Sequence, residues 1–189
     1  MSVLLEALLL DIPESLESER LVLRASNAGQ GPAVNAAVEE SHAELRQWMP
    51  WAKSRVTVEE TEKYCRESRA KWHARQILDF CFFAKDDGEL VGKGGLHTID
   101  WTIPKFEIGY WVRTSRTGKG FATEAVRSLV HLAISVLRAR RIEITSDARN
   151  QASRRVAEKN GFELEGILRQ SRRDVDGNLA DACIYARTP

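Results

Sequence analysis

The stretch Arg116-Thr117-Gly118-Lys119-Gly120-Phe121-Ala122-Thr123-Glu124-Ala125 decides how the rest of this chain is read. Ahead of it, Phe106-Glu107-Ile108-Gly109-Tyr110-Trp111-Val112 has the aromatic and β-branched content of a strand. Behind it, Ala122, Val126, Leu129, Val130, Ala133 and Leu137 recur at helical spacing. A strand, a basic glycine turn and a helix N-terminus together make a place to hold a phosphate. Glycines let the backbone bend and come close to a ligand. The first N–H groups of a helix have no partner within it and point at whatever lies ahead.

Outward from this turn, Glu19-Arg20-Leu21-Val22-Leu23-Arg24 alternates as an opening strand. A helical region follows from about Asn27 to Trp48, broken near its middle and ended by Pro50. A second helix is expected over Val58–Gln76, with Thr57 as N-cap and Glu60 three residues on, the pattern of a capping box. Phe80–Ala84 and Leu90–Ile99 are strands joined by the turn Lys85-Asp86-Asp87-Gly88, and Gly92, Gly94 and Gly95 predict a bulge or a close approach. Pro104 precedes the strand ahead of the glycine turn. After the helix come a strand at Arg141–Ser146 and a short helix capped by Asn150 and stopped by Gly161. Strands at Phe162–Leu168 and Ala180–Arg187 follow, with a turn at Asp176-Gly177. The order β-αα-β-β-β-α-β-α-β-β predicts an α+β fold with a mixed, mostly antiparallel central sheet.

A chain of 189 residues predicts one domain over residues 19–189, preceded by an N-terminal extension, residues 1–18, that packs on it or pairs with another copy. The net charge of +1 argues against a general nucleic-acid binder, which would carry a basic excess. Cys65, Cys81 and Cys183 are scattered and form no paired motif, as are His42, His73, His97 and His131. Neither a disulfide framework nor a metal site is expected, and the cysteine usage fits a reducing cytoplasm. The apolar start, Met1–Leu10, lacks a basic leader, is interrupted by Glu6 and is too short to cross a bilayer, so no membrane partner is expected.

A nucleoside-triphosphate P-loop needs Gly-Lys followed by Ser or Thr; here Gly120 is followed by Phe121. A dinucleotide fingerprint needs a third glycine where Thr123 stands, and repeated βαβ units that this order lacks. An ordered set of segments instead carries a resemblance running from about Glu19 to Arg187. These are Glu19–Arg24, Leu45–Trp51, Glu107–Val112, Gly118–Ala125, Asn150–Ser153, Gly161–Gly166 and Asp181–Arg187. The chain resembles the GNAT N-acetyltransferase superfamily, within the branch of ribosomal-protein N-terminal acetyltransferases. One departure is visible: the family's turn carries Gln or Arg at the place of Ser115, and Arg116 stands one position along.

The resemblance implies a cleft for acetyl-CoA between two splayed central strands, and transfer of acetyl to an amine by direct attack on the thioester, with no metal. The N–H groups of Arg116, Thr117, Gly118, Lys119, Gly120, Phe121 and Ala122, with Thr123 beside them, would cradle the pyrophosphate. The strand edge at Trp111, Val112 and Arg113 would pair with the pantetheine amides. Glu107 is the candidate base; the alternative is a sheet-surface carboxylate paired with an arginine. Ser153 would relay a proton to the CoA sulfur, or else merely bond within the first helical turn. Asn150 would cap the helix and contact the cofactor.

Trp48, Trp51, Glu107 and Tyr110 would line the acceptor groove, though packing is the default for each tryptophan alone. Tyr185 and Cys183 are expected to pack in the core, and Arg172 and Arg173 to form a solvated strand end or to attract an acidic substrate. The acceptor follows from chemistry only in part. An α-amine with a pKa near 8 is about 10% neutral at pH 7 and a lysine about 0.04%, so deprotonation costs about 1.4 and about 5 kcal/mol respectively. A protein N-terminus is therefore the first expectation. A small amine (an antibiotic, polyamine or amino acid) comes second, and a silent acetyl-CoA-binding module third. Either a monomer or a homodimer is compatible with the sequence.

Overall fold

The computed structural model describes residues 3–189, with side chains from Glu6 onward. Met1 and Ser2 of the expected N-terminal extension lie outside the described residues. The architecture is a single eight-stranded sheet flanked by helices on both faces. Its strands are β1 (Ser15–Glu17), β2 (Leu21–Ala25), β3 (Leu78–Ala84), β4 (Leu90–Asp100), β5 (Lys105–Val112), β6 (Arg141–Asp147), β7 (Glu163–Arg173) and β8 (Leu179–Arg187). They lie in the order β1-β2-β3-β4-β5-β6-β8-β7, and every neighbouring pair is antiparallel except β5–β6.

The helices form where the sequence supplies their faces and ends. α1 (Val3–Leu8) leads into β1. α2 (Gly31–Glu40) and α3 (His42–Trp48) are the two halves of the region expected to break, and they part at Ser41. α4 (Val58–His73) starts on the predicted capping box: Thr57 Oγ1 accepts from Glu60 N–H, and Glu60 Oε2 accepts from Thr57 N–H. α5 (Phe121–Ser135) buries the stripe Phe121, Ala125, Val126, Leu129, Leu132 and Ala133 against the sheet, each large side chain worth roughly 1.5–3 kcal/mol of transfer free energy. α6 (Gln151–Lys159) is capped by Asn150 and stops at Gly161, whose φ of 75° is the left-handed conformation that ends helices. α5 and α6 pack together on one face; α2 and α4 pack together against β4 and β3 on the other.

The N-terminal segment is tied into this body. Ser15–Glu17 pairs with β2, Ala7 and Ile12 are buried, and Arg75 donates to the carbonyls of Ala7 and Leu10. The boundary expected at residue 18 therefore falls inside one sheet. Three residues without apolar alternation carry too little pattern to announce β1 beforehand. No helix among the described residues is long and apolar enough to cross a membrane.

What positions the site is the pair β5–β6. These strands run parallel and pair only at Lys105–Arg141, Phe106–Ile142 and Glu107–Glu143. β5 continues to Val112 and β6 to Asp147, but no rung joins them beyond Glu107. The sheet splits there, and Glu107 stands at the fork.

Candidate active site

The split leaves backbone groups unpaired. Arg113 N–H donates to Val91 O at 2.8 Å, and the β4–β5 register runs uninterrupted from His97–Glu107 to Gly92–Val112. By the alternation of an antiparallel ladder, the main-chain groups of Trp111 and Gly109 also face β4, whereas those of Tyr110 and Val112 face the gap. Of the expected edge at Trp111, Val112 and Arg113, only Val112 offers its backbone to a ligand, and Tyr110 joins it. Trp111 instead presents its ring, 6.3 Å from that of Trp51.

At the C-terminal end of β5 the chain turns through Thr114–Arg116 into the glycine turn. Gly118 and Gly120 have φ of 74° and 84°, a left-handed conformation that glycine adopts without strain and that lets the backbone bend there. The first bond into α5 runs from Glu124 N–H to Gly120 O at 3.1 Å. The N–H groups from Gly118 through Lys119, Gly120, Phe121 and Ala122 to Thr123 donate to no atom among the described residues. Those of Arg116 and Thr117 do not share this freedom. They close a tight turn on Arg113 O (3.0 Å) and Thr114 O (3.1 Å), so the open run begins two residues later than the sequence predicts. The Arg116 guanidinium is also engaged, by Asp87 and Glu89 of the β3–β4 hairpin. Ser115, where the family carries Gln or Arg, donates its N–H to Glu40 Oε1 at 2.9 Å, and its carbonyl accepts from Lys119 Nζ at 3.0 Å.

On the other side of the split lies a cavity of about 600 Å³. It gathers Glu107, Tyr110, Trp111, Asn150 and Ser153 together with Trp48 and Trp51, seven of the residues singled out in the sequence. The remaining ones, Val112, Arg113 and Arg116–Thr123, continue from the end of β5 outside it. Tyr110 reaches α6: its hydroxyl lies 3.0 Å from Ser153 Oγ and donates to Ser153 O at 3.2 Å. Burial, partly offset by the Ser153 hydrogen bond, pushes the Tyr110 phenol up to about 12. Ser153 N–H is held by Asn150 Oδ1 at 3.0 Å, so the Asn150 cap fixes the Ser153 backbone. Tyr185 and Cys183 are buried outside the cavity, with Tyr185 Oη donating to Glu158 Oε1 at 2.7 Å.

Glu107 has no arginine or lysine partner among the described residues. Its Oε2 accepts from Thr98 Oγ1 at 3.1 Å, and His97 Nδ1 lies 3.9 Å away. Two features aim these neighbours. Thr98 has a φ of 50°, costly for a β-branched residue, at the point where the β4–β5 register slips between His97 and Asp100. Gly109 makes room for His97, since a Cβ there would stand 2.7 Å from His97 Nε2. Arg172 also reaches the cavity and donates to Trp48 O at 3.4 Å, whereas Arg173 turns back to Gly177 O.

A third orphan completes the picture. Ser146 on β6 is buried and lines the cavity, yet its Oγ has no hydrogen-bond partner. A run of free N–H groups beyond the end of β5, a bare strand edge and an unpaired buried hydroxyl on the cavity wall fit a long polar ligand with a phosphate at one end. His97, Thr98 and Ser146 carried no sequence signal of their own, since only the split strand and the slipped register bring them to the cleft.

A sheet split at its one parallel pair, with free helix-terminal N–H groups at one end and a carboxylate at the fork, defines an acyl-transferase domain that binds an acyl-CoA. A sequence model of the acetyltransferase (GNAT) domain family matches residues 20–163, and the chain belongs to that family. It is an acetyl-CoA-dependent N-acetyltransferase. Over 170 residues it is 29% identical to the ribosomal-protein-serine acetyltransferase of Escherichia coli (strain K12), covering 90% of this chain and 93% of that protein. Among solved structures it is similar to RimL, the ribosomal L7/L12 alpha-N-protein acetyltransferase in complex with coenzyme A. The TM-score is 0.84 and the identity 29%, over 94% of this chain and 97% of that one. The microcin C7 self immunity acetyltransferase MccE, in complex with acetyl-CoA and AMP, shares the fold at a TM-score of 0.87 and 20% identity, over 94% and 97% of the two chains.

Proposed function

We propose that this enzyme acetylates the N-terminal α-amine of a protein, with ribosomal proteins the first candidates. The observation that carries this is the setting of Glu107: a carboxylate at the fork of the sheet, on the cavity wall, hydrogen-bonded by Thr98 and without an arginine or lysine partner among the described residues. A carboxylate placed this way is suited to accept one proton from an ammonium group. That is the modest task an α-amine sets, at about 1.4 kcal/mol, against about 5 for a lysine. The likeness to a ribosomal-protein-serine acetyltransferase supports the same choice.

Acetyl-CoA, when bound, supplies an acetyl group already activated as a thioester. The chain's own residues do the rest. The N–H groups from Gly118 to Thr123 bind the pyrophosphate, and the main-chain groups of Val112 and Tyr110 orient the pantetheine arm along the bare edge of β5. Ser146 Oγ gains the partner it lacks. Glu107 takes the first proton from the incoming ammonium, and the Ser153 hydroxyl, held near Tyr110 Oη, would relay to the departing CoA sulfur the second proton, which the nitrogen loses as it is acetylated. Trp48, Trp51 and Trp111 shield the acceptor end from water. The reaction belongs in the cytoplasm on this view.

A small amine is the alternative acceptor, favoured by the cavity itself, whose volume of about 600 Å³ is typical of small-molecule sites. Thiol release from acetyl-CoA, followed with a panel of N-terminal peptides, lysine peptides and small amines, separates the two. The α-amine reading requires N-terminal peptides to give the highest kcat/KM; preference for a small amine or a lysine side chain overturns it.

A further inference from the structure

Behind the fork, on β3 and β4, the cavity wall contains an ion pair for which the chemistry described so far has no use. Asp79 and Lys93 are 5% and 3% exposed, and both line the cavity. Lys93 Nζ donates to Asp79 Oδ2 at 2.5 Å and to Ser26 Oγ, with Cys81 Sγ at 3.7 Å as its third partner. Ser26 Oγ in turn donates to Asp79 Oδ2 at 3.0 Å. Each proton of the ammonium is thereby accounted for. Asp79 Oδ1, by contrast, accepts no hydrogen bond among the described residues.

Stability does not account for this arrangement. Apolar residues of similar volume commonly serve as well as a buried ion pair. Asp79 Oδ1 keeps contact with the cavity instead of being sealed off, so a ligand there can bring it a donor. Asp79 pairs with Gly95 and Gly95 with Gly109, so two glycine positions, the second covered by the His97 ring, separate the carboxylate from the split strand. Two strand spacings make that distance about 10 Å. The donor that meets Asp79 therefore lies several ångströms from the amine at Glu107. It is also uncharged, because Lys93 already balances Asp79 and a second cation would be buried unpaired. Burial pulls the Lys93 pKa down, but Asp79, then Cys81 and Tyr64, raise it above the usual lysine range, so the ammonium keeps its charge.

We propose that Asp79 is a specificity-determining residue that accepts a hydrogen bond from an uncharged O–H or N–H group on the acceptor, away from the amine that is acetylated. The inference rests on the reading that this cavity takes the acceptor. It is tested with acceptor pairs that differ by one donor: peptides with Ser against Ala, or N–H against N-methyl, at each of the first three positions, and an amino alcohol against its deoxy analogue. In the wild-type enzyme, deleting the donor at one position lowers kcat/KM roughly 10- to 100-fold. In the double variant Asp79→Leu/Lys93→Met, which removes the pair as a unit and keeps the site apolar, that ratio falls to within about twofold of one.

A merely structural role would change the melting temperature and the rate with every acceptor alike, leaving the ratio intact. Should the double variant not fold, Asp79→Asn, which keeps a partner for Lys93, gives the same ratio. The inference is overturned if no donor deletion matters in the wild type, if the ratio survives in the variants, or if an ammonium-bearing acceptor is preferred over its hydroxyl counterpart. Failure of the α-amine reading is distinct: peptides are then not acetylated, while the amino alcohol pair still reports on Asp79. If no amine of any kind is acetylated, both fall.

Discussion

Arg20 and Lys119 lie 99 positions apart, and a 3.0 Å hydrogen bond from Arg20 Nη1 to the Lys119 carbonyl joins them in the middle of the glycine turn. The same guanidinium packs 4.6 Å from the Phe121 ring and donates through Nε to Glu124 Oε2 at 2.7 Å. Glu124 Oε1 accepts from Arg20 N–H and Ser18 Oγ, each at 2.7 Å. The turn between β1 and β2 thus clamps the glycine turn, whose own N–H groups from Gly118 to Thr123 stay open. Arg20 is about half exposed, so the ion pair by itself contributes little; the hydrogen bonds gathered on the largely buried Glu124 contribute more.

Glu124→Ala is therefore expected to cost about 1–2 kcal/mol of stability and to weaken acetyl-CoA binding about tenfold, as the turn loses its preset shape. Calorimetric titration with acetyl-CoA and a thermal melt measure the two effects. Gly120→Pro, which cannot adopt a φ of 84°, should weaken binding far more, and wild-type affinity in that variant would place the pyrophosphate elsewhere.

Much of this was legible in advance, and the reasons differ by residue. The capping box of α4, the Asn150 cap and the left-handed glycines at 118, 120 and 161 are local chemistry, so a few residues specify them. The fork at Glu107 follows from one parallel strand pair in an otherwise antiparallel sheet, which no local pattern encodes. For the same reason the main-chain roles of Trp111 and Arg113 were misassigned: which backbone groups face the gap depends on register against β4. Arg116 looked available because it opens the glycine turn, but its partners Asp87 and Glu89 belong to a hairpin folded against it. Asp79 and Lys93 carry no local signal: only the pairing of β3 with β4 buries them together.

A second clamp makes stability depend on acid. Glu40 accepts from Arg113 Nε at 2.8 Å and from Ser115 N–H at 2.9 Å. First the Arg113 hydrogen bond and then the Ser115 N–H hold its carboxyl at about 2, below the ordinary 4.5. A depressed pKa gives stabilisation that is present above 4.5 and lost as pH falls from there toward 2. Glu40→Gln should be less stable than wild type at pH 7, by about 1–2 kcal/mol, and the gap should close across that acid window. Thermal melts of both proteins from pH 7 to pH 2 check this; a gap that stays constant with pH would contradict it.

Glu107→Gln keeps the shape of the fork and removes the proton acceptor. With an N-terminal peptide, kcat is expected to fall roughly 100-fold, and the rise of kcat/KM with pH should flatten. Binding of acetyl-CoA, which uses the other end of the cleft, should stay within about twofold. A variant with unchanged turnover and pH profile would remove Glu107 from the proton path.

Thr98 separates strain from function at this site. Its φ of 50° is unfavourable for a β-branched residue, and nothing but the position of its hydroxyl, 3.1 Å from Glu107 Oε2, gives that strain a use. Asparagine tolerates the same backbone far better. Thr98→Asn should therefore raise stability by about 1 kcal/mol, seen as a higher melting temperature, while lowering kcat/KM about tenfold because Glu107 loses its aligned hydrogen bond. Opposite signs in the two measurements are the signature of a residue held under strain for catalysis. If stability falls together with activity, Thr98 is an ordinary structural residue, and the register slip at the end of β4 serves packing alone.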